Sequence, residues 1–335
     1  MTRADEIARF LQGTGWTGAE PQWLAGDAST RRYARVQGQG LPQAILMDAP
    51  RGEVLSNHAF HHMTRVLRGA GYAAPEMLAA DVPRGLMLLE DLGPDLYALV
   101  LADARGEEST LYAAAVDLLA DLRGKPDAAN GLAPYDTATY RRELELVTDW
   151  YLPALTGAPA ELAAADLTDA VLSAIAALPA SPTVCVLRDY HAENLLWLPK
   201  RSGHARVGLL DYQDALAGHP AYDLVSLLED ARRDTSPELQ RAMTTRYAVA
   251  TGTALSGVEA AVAVLGTQRN LKILGIFARL CLRDGKDRYL TLMPRVWAHL
   301  QRDLTHPDLA DVAALAARIL PAPTQAGLAQ VMARA

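Results

Sequence analysis

Val184–Asp214 reads VCVLRDYHAENLLWLPKRSGHARVGLLDYQD, and the reading of this stretch decides the fold. Three apolar runs, VCVL, LLWL and VGLL, have the length and composition of short strands. The segments between and after them carry Asp189, His191, Asn194 and Asp211. Polar groups at strand ends are held by a scaffold yet stay open to a ligand. Pro199 and Gly203 mark a hairpin between the second and third runs, so Asp189, Asn194 and Asp211 all fall at strand ends from which they can converge. Asp189 can align and deprotonate a substrate hydroxyl. Asn194 offers a carbonyl oxygen and Asp211 a carboxylate to a hard cation such as Mg2+. A hydroxyl attacking a terminal phosphoryl group needs this set: an orienting acceptor, a metal and covered phosphates. The plainer reading, in which these residues only cap loops and turns, requires several such sites to coincide.

The rest of the chain sets bounds. Its 335 residues are 50% hydrophobic, enough for two lobes. A formal charge of -7 argues against nucleic-acid binding by phosphate neutralisation. It leaves a small phosphate ligand open, since a pocket's charge is local and a bound cation reverses its sign. Cys185 and Cys281 lie in apolar surroundings and are expected as buried free thiols. No basic-then-apolar leader precedes the first helix, and no apolar run approaches the roughly 18 residues of a membrane span, so a cytoplasmic protein without a membrane partner is expected.

The N-terminal MTRADEIARFLQ is predicted helical, with Thr2 and Asp5 spaced as a capping box. Trp23–Ala25, Tyr33–Val36 and Gln43–Met47 are predicted as a three-strand meander. The turn between the first two, Gly26, Asp27, Ala28, Ser29 and Thr30, suits an anion: small residues let the backbone approach, hydroxyls donate, and Arg31 and Arg32 add charge. Strand alternation sends those two arginines to opposite faces. A helix from Glu53 to Gly69 carries His58, His61 and His62, read as packed or solvated rather than metal-binding because no HExxH glutamate or cysteine accompanies them. Leu86–Leu89 is a strand that runs into Glu90-Asp91-Leu92-Gly93, a connector between lobes. Beyond it the pattern is helical. Asp136 caps a helix over 137–151, and Ser256 with Glu259 is spaced to cap a long apolar helix running toward Phe277.

The chain resembles the aminoglycoside phosphotransferase-like kinases, a branch of the protein-kinase fold. The matching pieces are GDASTRRYARV, LLEDLG, LRDYHAENLLW and LLDYQDALAGHPAYDLVSLLED, in family order over roughly residues 20–230. GDASTRRYARV, AILMDAP and LRDYHAENLLWL are closest to one subgroup, the N-acetylmuramate/N-acetylglucosamine kinases of bacterial cell-wall recycling. The resemblance implies an α+β, bilobal protein-kinase-like fold, with a small antiparallel β-rich N-lobe over residues 1–93 and a larger, mostly helical C-lobe over 94–335. It implies ATP-dependent phosphorylation of an amino sugar's anomeric hydroxyl. Asp189 would be the catalytic base, and Asn194 and Asp211 the Mg2+ ligands. Residues 26–32 would cover the phosphates, and the backbone around Glu90 and Leu92 would hold adenine. His191, Glu193, Gln213 and Asp214 would line the route to the sugar. One position departs from the pattern: the lysine expected on the third strand is Met47, and the chain has no lysine before Lys125. Arg31, Arg32 and Arg35 are the candidate substitutes, and Glu53 is the helix partner by position alone. The alternatives are a kinase of another small alcohol, such as an aminoglycoside, choline or homoserine, and a nucleotide-binding regulator without transfer activity.

Overall fold

In the computed structural model, residues 2–24, 30–49, 54–104, 107–158 and 163–334 are described. Helix α1 (Arg3–Gly13) opens the chain with its capping box in place: the Asp5 N–H donates to the Thr2 hydroxyl at 3.2 Å, and the Thr2 N–H donates to Asp5 at 2.8 Å. Strands β1 (Gln22–Trp23), β2 (Arg32–Gln37) and β3 (Gln43–Asp48) follow, then helix α2 (Val54–Gly69), strands β4 (Met77–Asp81) and β5 (Leu86–Glu90), and helices α3 (Tyr97–Ala102) and α4 (Glu108–Arg123). Helices α5 (Thr137–Leu146), α6 (Leu152–Thr156) and α7 (Ala163–Ala176) lead to four short strands, β6 (Val184–Val186), β7 (Leu195–Trp197), β8 (Val207–Leu209) and β9 (Leu216–Gly218). The chain closes with α8 (Tyr222–Leu228), α9 (Pro237–Thr251), α10 (Leu255–Asp284), α11 (Met293–Asp303), α12 (Ala310–Ile319) and α13 (Gln325–Met332).

The chain divides into two compact units, Met1–Ala114 with Glu193–Ala215, and Ala115–Ala192 with Leu216–Ala335. The stretch Val184–Asp214 is shared between them.

The first unit holds an antiparallel sheet in the order β1-β2-β3-β5-β4. The predicted meander is its first half. β4 has no counterpart among the predicted strands: Met77–Asp81 reads MLAAD, a short alanine-containing run with no alternation of apolar and polar residues, and none of it is buried. On one face Ala34, Val36, Ala44, Leu46, Leu86 and Leu88 pack with Ile7 and Leu11 of α1 and with Trp16. The two-residue period puts Tyr33, Arg35, Ile45, Met47, Met87 and Leu89 on the other face. A separate hairpin, β7–β8, pairs Leu195 with Leu209.

The second unit is built on α10, whose buried residues run from Val258 to Cys281 and gather α5, α7, α8, α11 and α12 into one core. The approach of α10 to α5 requires Gly275: a Cβ there would lie 2.4 Å from the Leu146 carbonyl group. At this contact the helix predicted as continuous over 137–151 departs from α geometry. α5 ends at Leu146, and Val147–Tyr151 forms a π-helical turn that keeps Val147 and Tyr151 both buried. Asp136 caps α5 as expected, accepting from the Thr139 N–H at 2.8 Å. The capping box expected at Ser256 and Glu259 is not formed. α10 starts at Leu255 after Ala254 and has no side-chain cap, so Ser256 already lies inside the first turn. β6 pairs with β9, not with its sequence neighbour β7. Both cysteines are buried and free. Among the described residues no helix is long and apolar enough to cross a membrane.

Candidate active site

In the second unit, β6 runs into the loop that bears Asp189 and His191. This loop is held from below by α8. The Asp223 carboxylate, 3% exposed, accepts the Leu187 N–H at 2.6 Å and the Arg188 N–H at 2.8 Å, and the Ser226 hydroxyl donates to the Arg188 carbonyl at 2.9 Å. Arg188 needs this support, because its φ of 70° lies in the left-handed region that non-glycine residues rarely adopt. Its guanidinium donates to Glu143, which also accepts from Lys272 at 3.1 Å, from the Gln268 amide at 3.0 Å and from the Tyr135 hydroxyl. Burial pushes the Glu143 carboxyl up, but Lys272 and Arg188 outweigh it and hold the group below the usual range, so it stays ionised. Tyr190 is fixed by a hydrogen bond from its hydroxyl to the Ala115 carbonyl. Asp189 is therefore half-buried on a loop braced at the residue on either side. His191 is buried, and burial lowers its pKa, so its ring is neutral at pH 7.

In the first unit, Asn194 precedes β7 and Asp211 follows β8. The Leu210 N–H donates to the Asn194 carbonyl at 2.9 Å, which closes the open end of the hairpin and sets these two oxygen-bearing side chains at that end. Asp211 is exposed, with a φ of 57°. Gln213 donates to Asp211 at 2.8 Å and to Asp214 at 3.2 Å, so its amide is tied to the two flanking carboxylates. Glu193 is half-buried and Asp214 exposed. Tyr212 anchors the Asp211 loop to α2, stacking on Phe60 at 5.3 Å with its hydroxyl 2.8 Å from Thr64.

Met47 is fully buried, so the position of the missing lysine is apolar in fact as well as in sequence. The three arginines separate clearly. Arg32 lies on the α1 face of the sheet, paired with Asp48 and stacked on the Trp23 ring at 4.3 Å. Arg35 shares the face of Met47 but pairs with Asp91 at 2.9 Å. Arg31, one residue before β2, is 5% exposed and turns toward α2, with its guanidinium 5.8 Å from the Phe60 ring and 2.5 Å from the Ser56 hydroxyl. Phe60 thus touches both Arg31 and Tyr212. Of the phosphate turn, Thr30 is exposed; Gly26, Asp27, Ala28 and Ser29 lie outside the described residues, as does Glu53. At the connector the Glu90 side chain is held by Arg201 at 2.5 Å, and its N–H donates to the Glu76 carbonyl at 2.8 Å. Asp91 accepts the Gly93 N–H at 2.8 Å, whereas the Leu92 peptide groups make no hydrogen bond among the described residues.

Behind the Asp189 loop, the second unit buries a pair of acids. The Asn270 amide donates to Glu229 at 2.7 Å and to Asp303 at 3.0 Å. Gly266 makes room for them, since a Cβ there would lie 2.6 Å from Asp303 Oδ2 and 3.1 Å from Glu229 Oε2. Burial, then the Glu229 charge, pushes the Asp303 carboxyl well above its usual value, so it keeps a proton that it shares with Glu229. The unfolded chain releases that proton above pH about 4. Over the window from there to the raised native value the folded state holds one more proton, so stability falls as pH rises. Asp223, pushed up to about 7 by burial, adds a slope of the same sign that ends near that pH. Asp303→Asn mimics the protonated acid. It is expected to flatten the decline and to raise the melting temperature relative to the parent at pH 8 but not at pH 4.5. Melting curves that stay parallel across this range would refute the shared proton.

Asp223, Ser226, Glu143, Phe60 and Tyr212 carry no role in the sequence reading. One signal was present: Glu143 lies on the apolar stripe of Tyr140, Leu144 and Val147, and an acid on a buried face requires partners. For Phe60 and Tyr212 no local signal exists, because they meet only through tertiary packing.

The fold, a five-stranded antiparallel sheet in one unit and a mostly helical second unit, is that of the protein-kinase-like phosphotransferases. The profile of the phosphotransferase enzyme family matches residues 22–260, and the chain belongs to that family. It is 38% identical to an N-acetylmuramate/N-acetylglucosamine kinase of Caulobacter vibrioides, over 95% of this chain and 97% of that protein. It is 35% identical to one of the same name from Pseudomonas aeruginosa, over 93% of each. Its fold matches a choline/ethanolamine kinase family protein from Mesorhizobium loti with a TM-score of 0.62, at 17% identity and over 99% of this chain and 100% of that one. The chain is thus a phosphotransferase of protein-kinase-like fold.

Proposed function

We propose that this chain transfers the γ-phosphoryl group of ATP to the anomeric hydroxyl of N-acetylmuramate and of N-acetylglucosamine, giving the sugar 1-phosphate for peptidoglycan recycling in the cytoplasm. The observation that carries this reading is the Leu210-to-Asn194 backbone bond, which sets an amide oxygen and the Asp211 carboxylate at one hairpin end in a chain this similar to kinases of that name. Both are hard oxygen donors, and the pair fits Mg2+, which takes its remaining ligands from phosphate oxygens and water. When bound, the ion supplies charge neutralisation at the β- and γ-phosphates.

The protein's own groups do the rest. Asp189 accepts a hydrogen bond from the anomeric hydroxyl and orients its oxygen toward the γ-phosphorus. As the new P–O bond forms and the bond to ADP breaks, the hydroxyl proton passes to the Asp189 carboxylate. Arg31, whose buried guanidinium adjoins Phe60 on the α2 side, takes the place of the strand-three lysine in gripping phosphate. Residues 26–32 cover the phosphates, and the Leu92 peptide holds adenine beside Glu90. His191, Glu193, Gln213 and Asp214 serve the sugar. In this reading residues 1–93 bind the nucleotide, and residues 94–335 supply the base and the acceptor site.

The test is ATP consumption with N-acetylmuramate, N-acetylglucosamine, choline and an aminoglycoside side by side, with phosphorus NMR of the product. Turnover with both amino sugars and a signal from an anomeric phosphate are expected. Turnover confined to choline or the aminoglycoside would refute the assignment. One observation favours a second reading: Met47 in place of lysine suits a nucleotide-binding regulator. Nucleotide binding without transfer to any of the four acceptors would establish that reading instead.

A further inference from the structure

Glu143 is 8% exposed and lies with Tyr140 and Leu144 on the face that α5 turns to the core. Its two oxygens divide four donors. Oε1 accepts from the Arg188 guanidinium and from Lys272 Nζ at 3.1 Å. Oε2 accepts from the Gln268 amide at 3.0 Å and from the Tyr135 hydroxyl. An ionised carboxylate has about four lone-pair sites, so the group is saturated. Gln268 and Lys272 are one turn apart on α10, and Gly275 on the same face brings α10 against Leu146 of α5. The carboxylate is thus held between two packed helices. The Tyr135 ring completes the frame, stacked on Tyr140 at 4.2 Å and 5.7 Å from the Arg188 guanidinium.

Stability alone does not account for this arrangement. Burying a carboxylate with its cations carries a desolvation penalty that their attraction at best offsets, and apolar side chains of similar volume often serve as well. What the arrangement does supply is a single position for Arg188. That residue sits at a φ of 70° and is the immediate neighbour of Asp189. Asp223 holds its N–H and Ser226 its carbonyl, and Glu143 holds the far end of its side chain. We propose that Glu143 is a positioning residue for phosphoryl transfer: through the guanidinium of Arg188 it fixes the direction in which Asp189 presents its carboxylate to the acceptor hydroxyl. Glu143 takes no part in the proton transfer itself. The role needs its charge, because glutamine would place an N–H where one of the four donors now points.

This role rests on the reading of Asp189 as the proton acceptor, and one set of variants separates the two. kcat and KM are measured with ATP and with N-acetylmuramate, N-acetylglucosamine, choline or an aminoglycoside as acceptor, for the parent, D189N, E143Q, E143D, R188G and the double variant E143Q/R188G. Melting temperature and ATP binding are recorded alongside. Glycine adopts a φ of 70° without strain, so R188G removes the guanidinium and leaves the backbone conformation available. E143Q and R188G are each expected to lower kcat on the order of ten- to a hundredfold with little change in KM, and E143D, which keeps the charge on a shorter arm, to recover part of the loss. The double variant is expected to lose no more than the weaker single variant, since its second change removes a link already cut. Losses that multiply in the double variant, or a parental kcat in E143Q with a lowered melting temperature, would reduce Glu143 to a support of the fold. If E143Q does not fold, R188G decides, and a parental kcat there would overturn the role because the guanidinium is the link. D189N impaired beside a parental R188G would overturn this role alone. A parent that transfers to none of the acceptors, or a D189N that turns over like the parent, would overturn the reading of the site and this role with it.

Discussion

Asp189→Asn is expected to bind ATP as the parent does and to turn over about 10²- to 10⁴-fold more slowly, the usual loss when a positioned proton acceptor is removed. The amide is isosteric and keeps one oxygen, so it can still sit on the braced loop, where the Asp189 N–H donates to the Leu187 carbonyl at 2.9 Å and the Asp189 carbonyl accepts from the His191 N–H at 3.2 Å. It cannot take up the hydroxyl proton. The effect therefore belongs in kcat, with little change in KM for ATP. Nucleotide titration alongside steady-state kinetics makes the check, and turnover equal to the parent's would remove Asp189 from the chemistry.

Asp223→Ala is expected to damage both stability and turnover. Asp223 accepts two buried N–H groups, those of Leu187 and Arg188, and both lose this acceptor once its carboxylate is gone. Leaving buried donors unpaired costs about 1–3 kcal/mol each. Arg188 would also lose the bonds that hold it at a φ of 70°. For a unit of this size about 1 kcal/mol shifts the melting temperature by ~2–4 °C, so a fall on the order of 5–10 °C is expected. Turnover should drop at least tenfold, because displacing a reacting group by ~1 Å is enough to do so. Asp223→Asn, which keeps one acceptor, should fall between. A variant with a lowered melting temperature but parental kcat would show that Asp223 supports the fold and not the position of Asp189.

The residues behind these two predictions differ in how readily the sequence reveals them. Asp189, Asn194 and Asp211 stand out because each follows or precedes an apolar run short enough to be a strand, and the chemistry of the three is complementary. The expected strand alternation likewise sends Arg31 and Arg32 opposite ways by sequence alone. The proposed choice of Arg31 as the lysine substitute is not legible in that alternation. It depends on Phe60 and Ser56 of α2 lying beside Arg31, and on Asp48 and Asp91 engaging Arg32 and Arg35.

The braces of the Asp189 loop are hidden for the same reason. Glu143 is 45 residues from Arg188 in sequence, and Asp223 is 36 from Leu187. β4 escapes sequence reading because its half-exposed residues carry no apolar period, and the partner of β6 escapes it because β9 is a three-residue strand beside a glycine turn. The π-helical turn at Val147–Tyr151 begins beside the close approach of Leu146 to Gly275, a tertiary contact that no local pattern encodes.

By itself, then, the stretch from Val184 to Asp214 determined its short strands and the polar groups Asp189, Asn194 and Asp211 beside them, because strand period and side-chain chemistry are local properties. Only the tertiary structure decided how the stretch is divided between two compact units and which buried partners hold it, with Asp223, Ser226 and Glu143 on one part and Phe60 and Thr64 on the other. A buried carboxylate or ring is fixed by whatever satisfies it, and those partners arrive from segments that meet only when the cores form.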